Sequence, residues 1–204
     1  MVTMLLALIA SSCTAVRVVT HTTSDDPVDL PAGVYHVDPP HCSITFDVDH
    51  LGYSRFTMRF DRASAQLDFT PQAPEISRVT AVIDASSLDT NVAALDRLVK
   101  GIDLLDVEHF PEIRFASKTL QRTGKNSGVM TGALTIHGET RPVSLTVTLN
   151  GGAPNPLTGD DTLGFTATGT FDRADFGLTN WYPAVGTTLH VVIQVEFVKP
   201  RPAG

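Results

Sequence analysis

The sequence is poor in cysteine and in charge, and it has none of the short motifs that mark common enzymes. Its 204 residues include two cysteines, Cys13 and Cys42, which excludes a disulfide framework. The 15 Lys and Arg residues are scattered singly and are outnumbered by 22 Asp and Glu, so no basic stripe exists to bind nucleic-acid phosphates. The chain lacks a Gly-x-Ser-x-Gly elbow, a His-Glu-x-x-His pair and a Gly-rich phosphate loop, and we therefore do not expect an enzyme.

The first 13 residues form an apolar segment. Residues 1–12 are apolar or small and lead to Cys13. Such a segment is too short to span a membrane as a helix and is typical of the apolar region and cleavage zone of a secretory signal. We therefore expect residues 1–13 to be a signal or lipoprotein-like leader, with lipidation at Cys13. The protein is then expected to be periplasmic or secreted, or lipid-anchored to the cell envelope; a disordered apolar tail is the alternative.

The composition predicts one folded domain after this leader. Hydrophobic residues make up 42% of the chain, close to the share in globular proteins, and the 18% of charged residues is not the high charge content typical of a disordered chain. Residues 14–32 are rich in Thr, Ser, Asp and Pro without periodicity, and are predicted to be a polar tether. The domain itself is predicted to cover residues 33–199, and residues 200–204 form a short C-terminal tail.

From Gly33 onwards, apolar and polar residues alternate between groups of turn-forming residues. A period of two is typical of half-buried antiparallel strands. The alternation is clearest near the end of the chain, at Leu189, Val191, Ile193, Val195 and Phe197. About eight such segments occur, which predicts an all-β sandwich or a closed barrel. The pattern alone does not separate these two architectures.

One stretch, residues 91–110, has a helical period instead. Apolar residues recur there three or four positions apart, at Val92, Leu95, Leu98 and Val99. We expect Asp89 or Thr90 to cap the start of this helix, Gly101 to end it and Pro111 to return the chain to a strand. The fold is therefore predicted to be all-β with one short helical excursion.

The histidines and Cys42, which could bind a metal or take part in a reaction, show no motif of a reactive site. The seven histidines have no paired spacing with cysteines or carboxylates of a known ligand set, so we predict neither a metal site nor a cofactor. His41 and His50 have two interpretations, as a polar pair at a barrel mouth that contacts a ligand head group or as ordinary hydrogen-bonding residues. Cys42 begins an apolar alternating segment and is predicted to be a small strand residue rather than a catalytic thiol.

Two features lie close together before the last strand. Arg173, with Asp172 and Asp175 around it, is interpreted as part of a structural turn that fixes strand register rather than as a binding clamp. Trp181 and Tyr182 lie in a loop and suit either a barrel mouth or contact with a membrane surface.

Four blocks of residues follow one another in a distinctive order. They are residues 38–41 (Asp-Pro-Pro-His) followed by Ile44, Phe46 and residues 50–52 (His-Leu-Gly); residues 87–90 (Ser-Leu-Asp-Thr) with Phe110 and Pro111; residues 132–143; and residues 172–177. In this order the blocks resemble the YceI-like family of polyisoprenoid-binding, lipocalin-like barrels, over residues 35–197. Met58, Leu95 and Arg97 depart from the family pattern, which usually has Gly, Arg and His at these positions.

The resemblance implies both a fold and a ligand. The expected fold is an extended eight-stranded antiparallel barrel. The expected ligand is a polyisoprenoid or an isoprenoid quinone, or else a fatty amide or acid, held inside for carriage, storage or sensing in the cell envelope. Peripheral membrane contact through a lipid anchor is part of this expectation, and a homodimer is left open. The alternatives are a small enzyme acting on an apolar substrate in the same cavity, and a filled barrel that serves as a stress-related structural module.

Assigning one face of each strand to the interior gives candidate ligand-binding residues. An eight-stranded barrel is wide enough either to be filled by its own side chains or to hold one slender ligand, so a closed dry core is the alternative for the same residues. Leu98, Leu104 and Leu105 are expected to form a helical lid. The candidate lining residues in the strands are Phe46, Val48, Phe60, Ile83, Phe115, Leu134 and Phe165.

Overall fold

The wall of the protein is made of ten antiparallel strands. The computed structural model describes residues 16–201. The strands are β1 (Gly33–His50), β2 (Ser54–Phe60), β3 (Ala63–Phe69), β4 (Arg78–Asp84), β5 (Leu88–Asp89), β6 (Glu112–Arg122), β7 (Ser127–Ile136), β8 (Glu139–Pro154), β9 (Asp161–Asp172) and β10 (Thr188–Lys199). Most of them alternate inward apolar and outward polar residues, as the sequence pattern predicts.

These ten strands occupy eight positions around a closed barrel. β2 and β3 both pair with β1 and are separated only by Asp61 and Arg62. β4 and β5 continue one another in the same way across the short 3-10 turn Ala85–Ser87. The ring runs β1, β3, β4, β6, β7, β8, β9, β10, and β10 pairs with β1 to close it. The predicted eight-stranded antiparallel barrel is therefore confirmed, and the sandwich is excluded.

The Asp-Pro-Pro-His block makes a bulge in β1. Val37 pairs with Phe197 of β10, and the next paired residue, Cys42, faces Val195. Four residues of β1 thus stand opposite one residue of β10. Pro39 and Pro40 lack the N–H groups that a regular ladder requires, which explains why the pairing is interrupted at this point.

The helical excursion is shorter than predicted. The helix α1 covers Ala93–Lys100 and ends at Gly101, as expected. The chain beyond it folds into turns, because the Gly101 carbonyl accepts hydrogen bonds from the N–H groups of Leu104 and Asp106 instead of continuing the helix. Apolar residues continue through these turns with near-helical spacing, which is why the sequence pattern overestimates the length of the helix.

The predicted helix cap is wrong in its position. The capping residue is Val92, which makes no side-chain cap bond. Thr90 lies two residues before the cap and contacts the helix in a different way. Its N–H and its hydroxyl both donate to Asp96 Oδ1, at 2.8 and 2.6 Å. These bonds hold the start of α1 against β5 and lower the pKa of Asp96.

The predicted tether is not entirely free of the barrel. Ser24 pairs with Gly152 at the end of β8, and Pro27–Asp29 forms a 3-10 turn capped by the Asp26 carboxylate. Leu30 is buried against the barrel, because its apolar side chain covers the end of the core. The leader and its lipidation candidate Cys13 lie outside the described residues, as do residues 202–204. None of the helices within residues 16–201 has the length and hydropathy needed to cross a membrane.

One end of the barrel, called here the closed end, is filled by side chains. Tyr35 is completely buried there, and its hydroxyl donates to the Pro31 carbonyl at 2.7 Å. Burial, with a smaller contribution from the charge of Asp161, raises the pKa of Tyr35 to about 12. The other members of this cluster are Leu30, Leu67, Phe69, Leu149, Leu163 and Phe197. The opposite end, called the open end, contains the β1–β2 turn and the β9–β10 loop.

Candidate ligand-binding site

The half of the barrel near the open end encloses a cavity of about 610 Å³ with an almost entirely apolar lining. Inward residues of β1, β2, β4, β6, β7, β8, β9 and β10 form its wall. The cavity opens between the β1–β2 turn, α1 and the β9–β10 loop, where lining residues such as Leu51 and Leu98 are themselves exposed to solvent. The closed dry core considered from the sequence is therefore not what the structure contains.

The structure brings nine of the ten candidate ligand-binding residues together around this cavity. They are Phe46, Val48, Phe60, Ile83, Leu98, Leu104, Leu105, Phe115 and Leu134. Leu104 and Leu105 are buried, whereas Leu98 is 58% exposed at the opening. The strand residues of this set form the wall of the cavity, and the three leucines of α1 and the following turns lie at its opening end. Ligand binding by each residue stays a prediction.

Phe165 is the exception and corrects the expectation for that residue. Its ring packs edge-on against Phe197, with 6.1 Å between ring centroids, on the filled cluster of the closed end. Alternation along β9 predicts which face of the strand points inward, but it does not say how far along the barrel axis the cavity extends. Phe165 points inward at a level where side chains fill the barrel.

Sequence reasoning missed several lining residues on β10 and on the loop before it. Leu189, Val191 and Ile193 line the cavity from β10, and Trp181 and Val185 line it from the loop. The alternation on β10 could have identified the first three, because they share one face with Phe197. The sequence suggests a barrel mouth for Trp181, and the structure agrees, whereas no pattern in the sequence indicates that Val185 also lines the cavity. The family departures Met58 and Leu95 also line the cavity.

Two glycines keep the centre of the barrel open. A Cβ atom on Gly132 would lie 2.4 Å from Phe115 Cζ, and a Cβ atom on Gly169 would lie 2.6 Å from Leu145 Cδ2. Both distances are far below van der Waals contact, so these side chains can lie where they do only because the facing residues have none. The absence of a Cβ at Gly132 and Gly169 therefore lets Phe115 and Leu145 pack closely against the neighbouring strand, which reduces their intrusion into the cavity.

Arg173 holds the β9–β10 loop in place. Its guanidinium is buried and donates to four backbone carbonyls, through Nε to Gly186 (3.0 Å), through Nη2 to Asn180 (2.9 Å) and Val185 (3.0 Å), and through Nη1 to Leu178. Burial lowers the pKa of Arg173. Its described hydrogen bonds all go to the loop, which agrees with a structural turn rather than a ligand clamp.

The loop is also tied to both other elements of the opening. Asn180 Nδ2 donates to the carbonyl of Asp103, in the turns after α1. Leu51 N–H donates to the Ala184 carbonyl at 2.8 Å, and Gly186 N–H donates to the Asp49 carbonyl at 3.0 Å. The β1–β2 turn, the α1 segment and the β9–β10 loop therefore form one connected structure around the opening.

The polar interpretation of His41 and His50 as a pair at the mouth is wrong. His50 lines the opening of the cavity and lies 6.1 Å from the Phe56 ring, centroid to centroid. His41 belongs to the bulge of β1, nine residues away along the chain, and is exposed on the outside of the barrel.

Cys42 is half-buried, and desolvation raises the pKa of its thiol, which keeps it protonated and agrees with a structural role.

The fold places His41 beside two carboxylates, a group that sequence spacing did not indicate. His41 Nδ1 lies 2.7 Å from Asp38 Oδ2 and 4.0 Å from Glu196 Oε2. The three residues have the types and proximity of a metal site, and Glu196 joins them only through the pairing of β1 with β10. The short contact is that of a hydrogen-bonded ion pair, and this bond raises the pKa of His41.

This ion pair predicts a pH dependence. Because the pKa of His41 is raised in the folded state, the bond to Asp38 contributes fully to stability below the unfolded histidine pKa of about 6.5. Its contribution is lost as the pH rises through the folded value. We expect the difference in melting temperature between wild type and His41→Gln to be larger at pH 5.5 than at pH 9. An equal difference at both pH values would contradict the assignment.

A closed antiparallel barrel with an apolar internal cavity that opens at one end defines a lipocalin-like ligand-binding barrel. The family model described as a YceI-like domain matches residues 35–197. The chain therefore belongs to the YceI-like family, and the resemblance inferred from the four sequence blocks is confirmed.

Individual relatives agree with this assignment. A UPF0312 protein of Pseudomonas putida (strain W619) is 34% identical over 172 residues, which cover 83% of this chain and 88% of the relative. The crystal structure of BcnA from Burkholderia cenocepacia superposes with a TM-score of 0.71 at 22% identity, covering 78% of this chain and 98% of BcnA. A polyisoprenoid binding domain from Saccharophagus degradans superposes with a TM-score of 0.57 at 14% identity, covering 83% of this chain and all of that domain. The two structures show that the fold is shared.

Proposed function

We propose that the barrel binds one long-chain apolar lipid in its cavity, a polyisoprenoid or the tail of an isoprenoid quinone. The observation that carries the proposal is the 610 Å³ cavity, whose lining is apolar from the strands to the lid. A cavity of this size lies within the usual range for small-molecule sites, but it has far fewer polar groups than most. Such a lining favours a ligand that is recognised by its hydrocarbon chain.

The volume sets the length of chain that can be enclosed. Taking the roughly 30 Å³ that a water molecule occupies in the liquid as the size of one methylene-sized group, the cavity holds about 20 such groups, or four five-carbon prenyl units. Each buried CH₂ contributes about 0.8 kcal/mol before the costs of ordering. A few enclosed units are therefore enough for tight binding, and a longer chain would extend through the opening.

The ligand class is also supported by the resemblance and by a structural neighbour whose name describes it as polyisoprenoid-binding. With the leader predicted at residues 1–13, we propose that the protein carries, stores or senses this lipid in the cell envelope. Lipidation at Cys13 would place the barrel next to a membrane.

The two alternative functions, a small enzyme and a filled structural module, have less support. The lining offers an enzyme two ionisable side chains, His50 and Arg173, and the second is occupied by four loop carbonyls. Among the described residues, no carboxylate lines the cavity. A filled structural module would have no internal space, whereas this barrel has a cavity large enough for a ligand.

Mass spectrometry of organic extracts from the purified protein tests the proposal. We expect close to one isoprenoid lipid per barrel in the wild type and at least tenfold less in Phe115→Asp, because the new carboxylate would face hydrocarbon. Ala116→Asp is the matched control, since Ala116 is the next residue of β6 and is exposed on the outer face. Circular dichroism checks that each variant is folded. A folded Phe115→Asp barrel with undiminished lipid, or a wild type that is reproducibly empty, would overturn the proposal.

A further inference from the structure

Several exposed apolar side chains surround the opening of the cavity. We define the rim as six of these residues, Leu51, Tyr53, Leu98, Ile102, Trp181 and Tyr182. Their exposed fractions range from 40% for Trp181 to 86% for Tyr53. All three aromatic residues among the exposed large hydrophobic residues of the described chain belong to the rim. Trp and Tyr are enriched at membrane–water interfaces, where the ring contacts hydrocarbon and the polar group stays hydrated.

The rim comes from three separate parts of the chain that the fold brings to one end. Leu51 and Tyr53 belong to the β1–β2 turn, Leu98 and Ile102 to α1 and the turn after it, and Trp181 to the β9–β10 loop. The hydrogen bonds between these three elements, described above, fix them to one another. The rim is therefore a preformed surface.

Two rim residues occupy an unfavourable backbone conformation. Leu51 has a φ of 56° and Trp181 a φ of 70°, in the left-handed region where glycine or asparagine is preferred. Bulky apolar residues at such positions cost stability, and their side chains are partly exposed, so burial does not fully compensate. Strain of this kind clusters at functional sites, which indicates a role for these side chains outside the fold itself.

Two cations beside the rim also fit a phospholipid surface. Charged residues within two positions of a rim residue are Asp49, Arg55, Asp96, Arg97, Lys100 and Asp103. Asp49, Arg55 and Asp96 have hydrogen-bond or ion-pair partners within the protein. Within residues 16–201, Arg97, Lys100 and Asp103 form no side-chain ion pair. The six charges are three cations and three anions, because a hydrogen-bonded carboxylate keeps its charge. Arg97 and Lys100 lie on α1 beside Leu98 and are available to lipid phosphates.

The rim is continuous with the interior. Leu51, Leu98 and Trp181 are exposed and also line the cavity. We propose that the rim docks on the surface of a phospholipid bilayer, with its apolar side chains at the boundary of head groups and acyl chains and with Arg97 and Lys100 at the phosphates. The opening then faces the bilayer, and a lipid can pass between membrane and cavity without crossing water. This passage rests on the proposed function, whereas the docking itself does not.

The single tryptophan of the chain makes docking directly measurable. The probe is vesicles of phosphatidylcholine with one fifth phosphatidylglycerol and without isoprenoids, mixed with the full chain. We expect the emission of Trp181 to shift to shorter wavelength and to be quenched by lipids brominated near the start of the acyl chain. Ile102→Asp should weaken vesicle binding roughly tenfold or more, because a large exposed apolar side chain is lost from the contact.

The closed end of the barrel supplies the matched control. Leu157 is 69% exposed, close to the 75% of Ile102, but it lies in the β8–β9 loop at the closed end. Leu157→Asp should bind vesicles as the wild type does. The proposal is overturned if the wild type does not bind, if both variants lose binding equally, or if bromine does not quench Trp181. A dimer that dissociates in Ile102→Asp, in a protein that ignores vesicles, would assign the rim to a second copy instead.

The outcome is separate from that of the lipid extraction. If the extracted protein is empty but Trp181 is quenched on vesicles, the cavity proposal fails and the docking surface stands. If lipid is recovered but vesicles are ignored, the cavity proposal stands and docking fails.

Discussion

Val191→Trp should exclude the ligand while the barrel stays folded. Val191 lies on the inward face of β10, paired with Phe46 on one side and Gly169 on the other, and it lines the cavity. In a filled core, such an enlargement forces neighbours out of place and costs about 1–3 kcal/mol. Here the indole can extend into open space, so its volume displaces ligand rather than protein. We expect at least a tenfold fall in the lipid recovered per barrel.

The neighbouring residue provides a control for this variant. Val192 is an apolar residue on the otherwise mostly polar outer face of β10, and it is 39% exposed. Val192→Trp adds the same side chain one position away, and we expect it to retain the lipid of the wild type. Both variants should melt within a few degrees of the wild type. A Val191→Trp barrel that still yields stoichiometric lipid would show that the ligand does not occupy this cavity.

The largest loss of stability is expected for Arg173→Met. The methionine keeps much of the aliphatic side chain but removes the donors for four backbone carbonyls. Each buried polar group left without a partner costs about 1–3 kcal/mol, and the loop can recover part of this by admitting water. We therefore expect a loss of at least ~3 kcal/mol in the free energy of unfolding, measured by urea denaturation.

An exposed arginine separates this effect from the loss of a charge. Arg141 is 44% exposed and pairs with Glu139 on the surface, and Arg141→Met should cost less than about 1 kcal/mol. Arg173→Lys should fall between wild type and Arg173→Met, because an ammonium cannot reach four carbonyls at once. Equal stability of Arg173→Met and Arg141→Met would refute the role assigned to Arg173. Faster amide exchange in the β9–β10 loop of Arg173→Met would locate the change.

The strands could be predicted from the sequence because their pattern is local. Alternation alone orients residues such as Phe46 and Phe115 toward the interior, since a period of two assigns every second residue to the same face. It does not give the height of a residue in the barrel, which is why alternation assigns Phe165 to the cavity although this residue packs on the filled cluster. The sequence also does not give the start of α1, because Thr90 bonds to the side chain of Asp96 rather than capping the first free N–H groups of the helix.

The features that depend on contacts between distant parts of the chain could not be predicted. The group of Asp38, His41 and Glu196 exists because a bulge in β1 meets β10. Open space at the centre of the barrel depends on Gly132 lying opposite the Phe115 ring, which no property of either residue alone indicates. The rim could be predicted only in part: the sequence suggests a barrel mouth for Trp181 and Tyr182, but it does not indicate that Leu51 and Ile102 lie at the same opening, because three separate connections meet there only in the closed barrel.

The pairing of β1 with β10 also has a consequence for how the protein is made. Thr45 and Val192, which are hydrogen-bonded across this seam, are 147 residues apart. Contacts of such long sequence separation form slowly, because the intervening chain must be ordered first. During synthesis, the strands that emerge early have an unpaired edge at β1 and an apolar interior open to water, and both favour aggregation. The cavity exists only after the last strand has been added, so the ligand can bind only to a completed chain.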